Sequence, residues 1–350
     1  VLLLAALAAA APTIALRPGD PLPVLGPEAR VDLGLRAAAE ELAGSATSLQ
    51  ARLSPGAIRI ALSRAGYPGA AHFLLARGGA TPPPDLLAAL PYGQAVDVGW
   101  ATRSFDGANL WILGWAPRRL SVDPLARDVH VGGGLSLRVD GATEPRLLVA
   151  APGGGVREVG ITDGVARRIR FDTPGEHRVE VIDGDRVELL FSVFADTPVP
   201  AAALLPGPAA PADPTHDLPY LYGALDRLRA AAGLPPLTPF PAFEPHARAH
   251  ASCVATAGVV AHRTPTCPGV PELARRTHHP RARHTEDVAA GGTSEEAWQL
   301  VTESPGHQLN LLCAECTHVA IGAVASDGRV YVVWELLTFP DGTPQALPEW

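Results

Sequence analysis

Two histidines, His262 and His307, and two acids, Glu286 and Glu303, are the side chains best equipped for chemistry. Neutral imidazoles are ligands for zinc or another divalent cation, and a nearby carboxylate can orient an imidazole or accept a proton from metal-bound water. Two histidines leave coordination positions open, so an ion held this way would be exchangeable. As a hydrolase, the chain would hold zinc on His262 and His307 and use Glu286 as base. In a purely structural role, His307 would cap a helix and hydrogen-bond Glu286. No serine or cysteine nucleophile is evident, because Ser304 precedes Pro305 in a turn. Four cysteines, Cys253, Cys267, Cys313 and Cys316, form an even set that favours disulfides in an exported chain. Three pairings are possible, and the local ones, Cys253–Cys267 and Cys313–Cys316, are preferred because each closes a short loop. The pair at 313 and 316 follows a helix and precedes a strand, the reverse of a redox Cys-x-x-Cys arrangement. The 253/267 spacing is not that of a zinc knuckle.

These groups need elements to bring them together. Residues 218–232 read as a helix with Leu221, Leu225 and Leu228 on one face, ended by Gly233 and barred from continuing by Pro235 and Pro236. A second helix spans 242–258, with His250 packed in its interior and His262 in the loop beyond. Thr293 and Glu296 form a capping box for a third helix through Glu303. Pro305 and Gly306 break it, and His307 opens a short fourth helix. Two apolar strands, 319–325 and 330–338, turn at Asp327-Gly328. Trp298 and Trp334 read as core. The run His278 to His284 reads as a solvated loop at the mouth of the site, with a metal- or anion-binding loop as the alternative.

The order of these elements, with Arg229-Ala230-Ala231-Ala232-Gly233-Leu234-Pro235-Pro236-Leu237, His250-Ala251, His262, Glu286-Asp287-Val288-Ala289, Ala297-Trp298 and Ser304-Pro305-Gly306-His307 followed by Asn310-Leu311-Leu312, resembles the CAP superfamily. That superfamily comprises the cysteine-rich secretory, antigen 5 and pathogenesis-related 1 proteins, and the resemblance is to its compact bacterial branch. It covers about residues 218–339 and implies an α–β–α sandwich with a cleft carrying two histidines and two glutamates, where some members bind a divalent metal. His262, His307 and Glu286 stand at family positions. The second glutamate position falls near Val301, and Glu303, two residues later, is taken as its substitute. Thr285 and Asp287 stand where the family has Gly and Asn. The resemblance implies lipids, sterol-like molecules or other cell-surface ligands as partners.

The rest of the chain reads as α+β and multidomain. Residues 1–17 are signal-like, because an apolar run opens the sequence. Residues 20–122 form an α+β unit: a helix over 30–53, a second over 57–64, a short third over 71–75, and a hairpin of 95–102 and 108–115 around Asp106-Gly107. That hairpin, Val96-Asp97-Val98-Gly99 to Leu110-Trp111-Ile112-Leu113, is similar to the one of Val319-Ala320-Ile321-Gly322 to Val330-Tyr331-Val332-Val333, which suggests the first domain as a degenerate relative of the last. Residues 127–196, where short alternating runs are punctuated by Gly and Asp-Gly turns, read as a small immunoglobulin-like β-sandwich. Proline- and alanine-rich 197–214 reads as a linker, and 215–342 as the last domain. With 47% hydrophobic and 18% charged residues the chain is globular, and its net charge of −8 excludes a global attraction to nucleic acid. No later stretch is long and apolar enough to span a membrane. The expectation is an extracellular or periplasmic binding module, non-catalytic, with a His/Glu cleft. The alternatives are a metal-assisted, peptidase-like hydrolase and a structural or adhesive protein with a vestigial cleft.

Overall fold

The computed structural model describes residues 29–91, 93–122, 125–184, 186–207, 214–263, 266–267 and 283–339. The signal-like segment and most of the 278–284 run lie outside them.

The first unit opens with strand β1 (Ala29–Val31), followed by helices α1 (Leu33–Ser45) and α2 (Pro55–Ala65), strand β2 (His72–Gly78), helix α3 (Pro84–Ala88), and strands β3 (Val96–Phe105) and β4 (Ala108–Pro117). The helix expected from residue 30 begins later. Residues 29–31 pair in parallel with β3, and the Asp32 carboxylate then accepts from the amides of Gly34 and Leu35. Leu35, Ala38, Ala39 and Leu42 bury one face of α1. Residues 71–75 are not helical. Their apolar run is of strand length and satisfies its backbone groups along the open side of β4. The sheet order is β1-β3-β4-β2.

The second unit contains β5 (Ser121–Val122), β6 (Asp128–Val129), β7 (Gly134–Asp140), β8 (Pro145–Ala150), β9 (Val156–Val159), β10 (Val165–Arg170), β11 (Gly175–Asp183) and β12 (Arg186–Ala195). Its two sheets run β10-β7-β5 and β6-β12-β11-β8-β9. Leu135, Leu137 and Ile169 from the first meet Val149, Val179, Val181 and Phe191 from the second in one core, as alternation predicts. The 197–214 segment is less of a free linker than its composition suggests. Ala203 and Leu205 are buried in the core of the first unit, and Pro206 O accepts from Arg52 N at 3.0 Å.

The last unit is α4 (Pro214–Ala231), β13 (Thr238–Pro239), α5 (Glu244–Ala257), β14 (Arg283–Gly291), α6 (Ser294–Glu303), α7 (Pro305–Leu311), β15 (His318–Ser326) and β16 (Arg329–Thr338). Its sheet runs β13-β15-β16-β14. Val288, Ala320, Tyr331 and Val333 face α5 on one side. Ala289, Ile321, Val332 and Trp334 face α4, α6 and α7 on the other. The period-2 alternation of apolar residues on both faces of the strands therefore makes an α–β–α arrangement. Both expected local disulfides are present, with Cα separations of 5.8 Å for Cys253–Cys267 and 5.4 Å for Cys313–Cys316.

Candidate functional site

The site forms around β14, an edge strand of the last sheet. Consecutive residues of a strand point to opposite faces, so Glu286 and Asp287 look to different sides. Each takes a histidine from its own side. His262, in the loop after α5, brings Nδ1 to 2.8 Å from Glu286 Oε1. His307, in the first turn of α7, brings Nδ1 to 2.7 Å from Asp287 Oδ1. The rings meet around the strand edge with centroids 6.1 Å apart. His262 is half exposed and His307 partly so, while both acids are fully buried.

Local sequence explains the placement. Gly258, with φ 66°, ends α5 in the left-handed conformation and releases the chain toward His262. The Ser304 hydroxyl caps α7 by accepting from His307 N at 3.2 Å, and Pro305 supplies the first-turn geometry. At the other end of α7, buried Arg229 donates to the carbonyls of Leu311 and Cys313 at 2.8 and 3.0 Å. The Arg-Ala-Ala-Ala-Gly stretch thus anchors the helix that carries His307. The Asn310 amide donates to Asp287 Oδ1 at 2.9 Å and holds that carboxylate under the ring.

Behind Glu286 lies a buried polar layer. Glu286 Oε2 is 2.5 Å from His250 Nδ1 on α5. Glu335 pairs with Glu286 across the sheet, and its Oε2 lies 2.5 Å from His284 Nε2. Burial pushes the Glu286 carboxyl up, but hydrogen bonds and charge from His250 and His262 outweigh it and hold it well below the usual carboxylate range. Burial pushes Glu335 up, and its neighbour Glu286 raises it further against the pull of His284. The two carboxyls are thus driven apart, Glu286 down and Glu335 up. Burial works to lower His250 and His307, yet Glu286 raises the first, and Asp287, helped by Glu180, raises the second.

Two arrangements of donors must be tested against a metal ion. His250, Glu286 and Glu335 place one donor atom each within 4.8 Å of one another. The 2.5 Å contact between His250 and Glu286 is a hydrogen bond and leaves no room for an ion between them. His262 and His307 fit better. Each has its Nδ1 committed to a carboxylate, which fixes the tautomer and leaves Nε2 as the ligating nitrogen. Two imidazoles bound at about 2.0–2.1 Å in tetrahedral geometry have centroids about 5 Å apart, and these two stand 6.1 Å apart.

The structure brings His262, His307 and Glu286 together and leaves Glu303 out. Glu303 accepts from Arg59 Nε at 3.0 Å, in the contact with the first unit. A helix position two residues from the family's turns the side chain by about 200° around the axis, so it faces away from the cleft. Glu286 orients imidazoles and cannot serve as the expected base, because it is fully buried with both oxygens engaged. The hydrogen bond expected from His307 to Glu286 goes to Asp287. His284 is not part of a solvated loop, since its ring is buried against Glu335. Asp287, His250 and Glu335 were missed as partners. The departure from Asn at 287 was the available signal, because only an acid there supplies charge to His307.

Residues 222–336 match the family model for CAP, the cysteine-rich secretory protein family. No curated protein matches. Among solved structures, the chain is similar to an outer surface protein from Borrelia burgdorferi, at 17% identity over 36% of this chain and 95% of that one, with TM-score 0.33. It is also similar to an extracellular protein containing an SCP domain from Bacillus anthracis, at 15% identity over 60% of this chain and 68% of that one, with TM-score 0.34. A cysteine-rich secretory protein from Staphylococcus aureus matches at 13% identity over 70% of this chain and 85% of that one, with TM-score 0.30.

Proposed function

We propose that residues 222–336, which match the CAP family model, form a CAP domain whose cleft is a non-catalytic binding site, on the exported side of the cell envelope, that holds an exchangeable divalent metal. The observation that carries this reading is the pairing of each cleft histidine, through Nδ1, with its own buried carboxylate. Such pairs raise the basicity of Nε2 and set the ring for a ligand. His262 and His307 would hold zinc or a similar ion, with the remaining positions open to ligand oxygens. The two disulfides favour an oxidising compartment, and no described helix is long and apolar enough to cross a membrane.

The metal supplies Lewis acidity when bound, and the chain's residues supply orientation. Glu286 and Asp287 hold the rings, and Asn310 holds Asp287. Glu286, the base a hydrolytic role would use, is buried with its oxygens engaged by His250 and His262. Ligands with carboxylate, phosphate or hydroxyl oxygens, including lipid headgroups and surface polymers, are the class that an open ion would take. The test is zinc titration of the full chain by calorimetry, against the His262→Ala/His307→Ala double variant. One site that disappears in the variant is expected. Equal heats from the two proteins would sink the metal reading and leave the cleft vestigial.

A further inference from the structure

The start of helix α7 is completed by another domain. Strand β11 of the sandwich sends Val179 and Val181 into its own core. Its opposite face carries Glu176, Arg178, Glu180 and Ile182, the charged stripe that a sheet ordinarily shows to water. Glu180 is nevertheless fully buried. One of its oxygens accepts from the Ser304 hydroxyl at 2.8 Å, and the other accepts from Gly306 N at 2.6 Å. Ser304 in turn accepts from His307 N. A single carboxylate thus fastens the cap residue and an amide of the first turn, both immediately before the cleft histidine.

Other contacts keep the carboxylate in register. Arg178 donates from Nε to Glu303 O at 3.1 Å and from Nη1 to Ser192 Oγ at 2.7 Å. Arg59 of α2 bridges Glu176 of the sandwich and Glu303 of α6. Gly306 has no room for a side chain on this side, because a Cβ there would lie 2.9 Å from Glu180 Oε2 and 3.1 Å from the Ile182 Cδ1. The Ser-Pro-Gly-His run is therefore fitted to the sandwich as well as to its own cap.

We infer that Glu180 of the β-sandwich is a positioning residue for the cleft: through Ser304 and Gly306 it sets the helix start that presents His307, so metal affinity depends on the docked sandwich. The inference rests on the metal reading above for its affinity half. Its geometric half, the order of the 304–307 turn, stands without a metal.

The test uses the full chain. Zinc is titrated by calorimetry into the parent, Glu180→Gln and Glu180→Ala. Hydrogen exchange of the 304–312 peptide is followed by mass spectrometry without metal. Glu180→Ala is expected to weaken zinc about tenfold, the lower end of what lost outer-shell partners cost. Glu180→Gln keeps a hydrogen-bonding group of the same shape and restores affinity to within about threefold of the parent. Exchange at 306 and 307 accelerates in Glu180→Ala. Acceleration confined to the 304–312 peptide separates positioning from a general loss of stability, which would accelerate exchange throughout the chain. Unchanged zinc affinity in Glu180→Ala, with the parent binding, overturns the inference and leaves the metal reading intact. If the parent binds no zinc, the metal reading falls; unchanged exchange would then overturn the geometric half, and accelerated exchange would uphold it.

Discussion

The first and last units of this chain are built on one framework and filled differently. Each sheet has a short parallel edge strand, an antiparallel hairpin and a further antiparallel strand, in the orders β1-β3-β4-β2 and β13-β15-β16-β14. In each, a glycine of the first hairpin strand lets a helix rest on the sheet. A Cβ on Gly99 would lie 2.2 Å from Arg36 N, and one on Gly322 would lie 2.2 Å from Ala247 C. Aligning the two glycines equates Trp115 with Trp334, through the pairs Val98↔Trp115 and Ile321↔Trp334. It equates Ala116 with Glu335, and, three residues along each helix, Ala38 with His250. Ala38 and Ala116 are buried core, whereas His250 and Glu335 belong to the polar layer beneath the cleft. The framework is thus satisfied by alanine where the last unit buries a histidine and a carboxyl. Burying such groups costs stability unless each is partnered, so their presence points to the cleft and not to the fold.

The comparison can be broken or sharpened by experiment. The largest effect is expected from Glu286→Ala, which strands His250 and His262 without their acceptor. Loss of about 3–5 kcal/mol in chemical denaturation is the expectation for one half of a buried pair, together with loss of zinc binding. A change below about 1 kcal/mol would mean that the polar layer is not the linchpin described. Next, Gly99→Ala and Gly322→Ala should each cost about 3 kcal/mol, the upper range for overpacking against backbone. Similar losses from the two would support equivalent frameworks, and tolerance at only one site would refute that equivalence. Third, reduction should weaken only the last unit, which holds all four cysteines. Opening Cys253–Cys267, 14 residues apart, should cost about 2–3 kcal/mol. Differential scanning calorimetry with and without reductant would show it, and a shift in the first unit's transition would contradict the assignment.

The smallest effect concerns pH. Glu286 is depressed in the folded state, so its contribution is present above the ordinary carboxylate range and fades as pH falls through its folded value. Glu335 is raised, so its contribution is present in acid and fades as pH climbs from the ordinary range toward neutrality. Glu335→Gln mimics the neutral acid. It should change stability by less than about 1 kcal/mol in acid and abolish the decline toward neutral pH in a denaturation series. Persistence of that decline would place the titration elsewhere.

Much of this was legible because it is local. The cap at Thr293, the Asp-Gly turns, the alternating strands of the sandwich and the Ser-Pro-Gly-His break all follow from neighbours within a few residues. So does the pairing of the cysteines. Histidines and acids with metal-ligand character could be named for the same reason, since their chemistry belongs to the side chain. Partnership could not. Glu286 and His250 are 36 residues apart, and Glu180 and Ser304 are 124 apart. Residues 71–75 became a strand because β4 had an open edge, and Ala203 and Leu205 became core because the first unit had an uncovered face. The sequence by itself determined the last unit's helices and hairpin, the alternation of the sandwich strands and the stock of ligating groups. Only the tertiary structure decided that Asp287 holds His307, that Glu303 faces Arg59 of the first unit, and that burial beside Glu286 raises Glu335. Those outcomes depend on desolvation and on distances across the sheet, which no local pattern encodes.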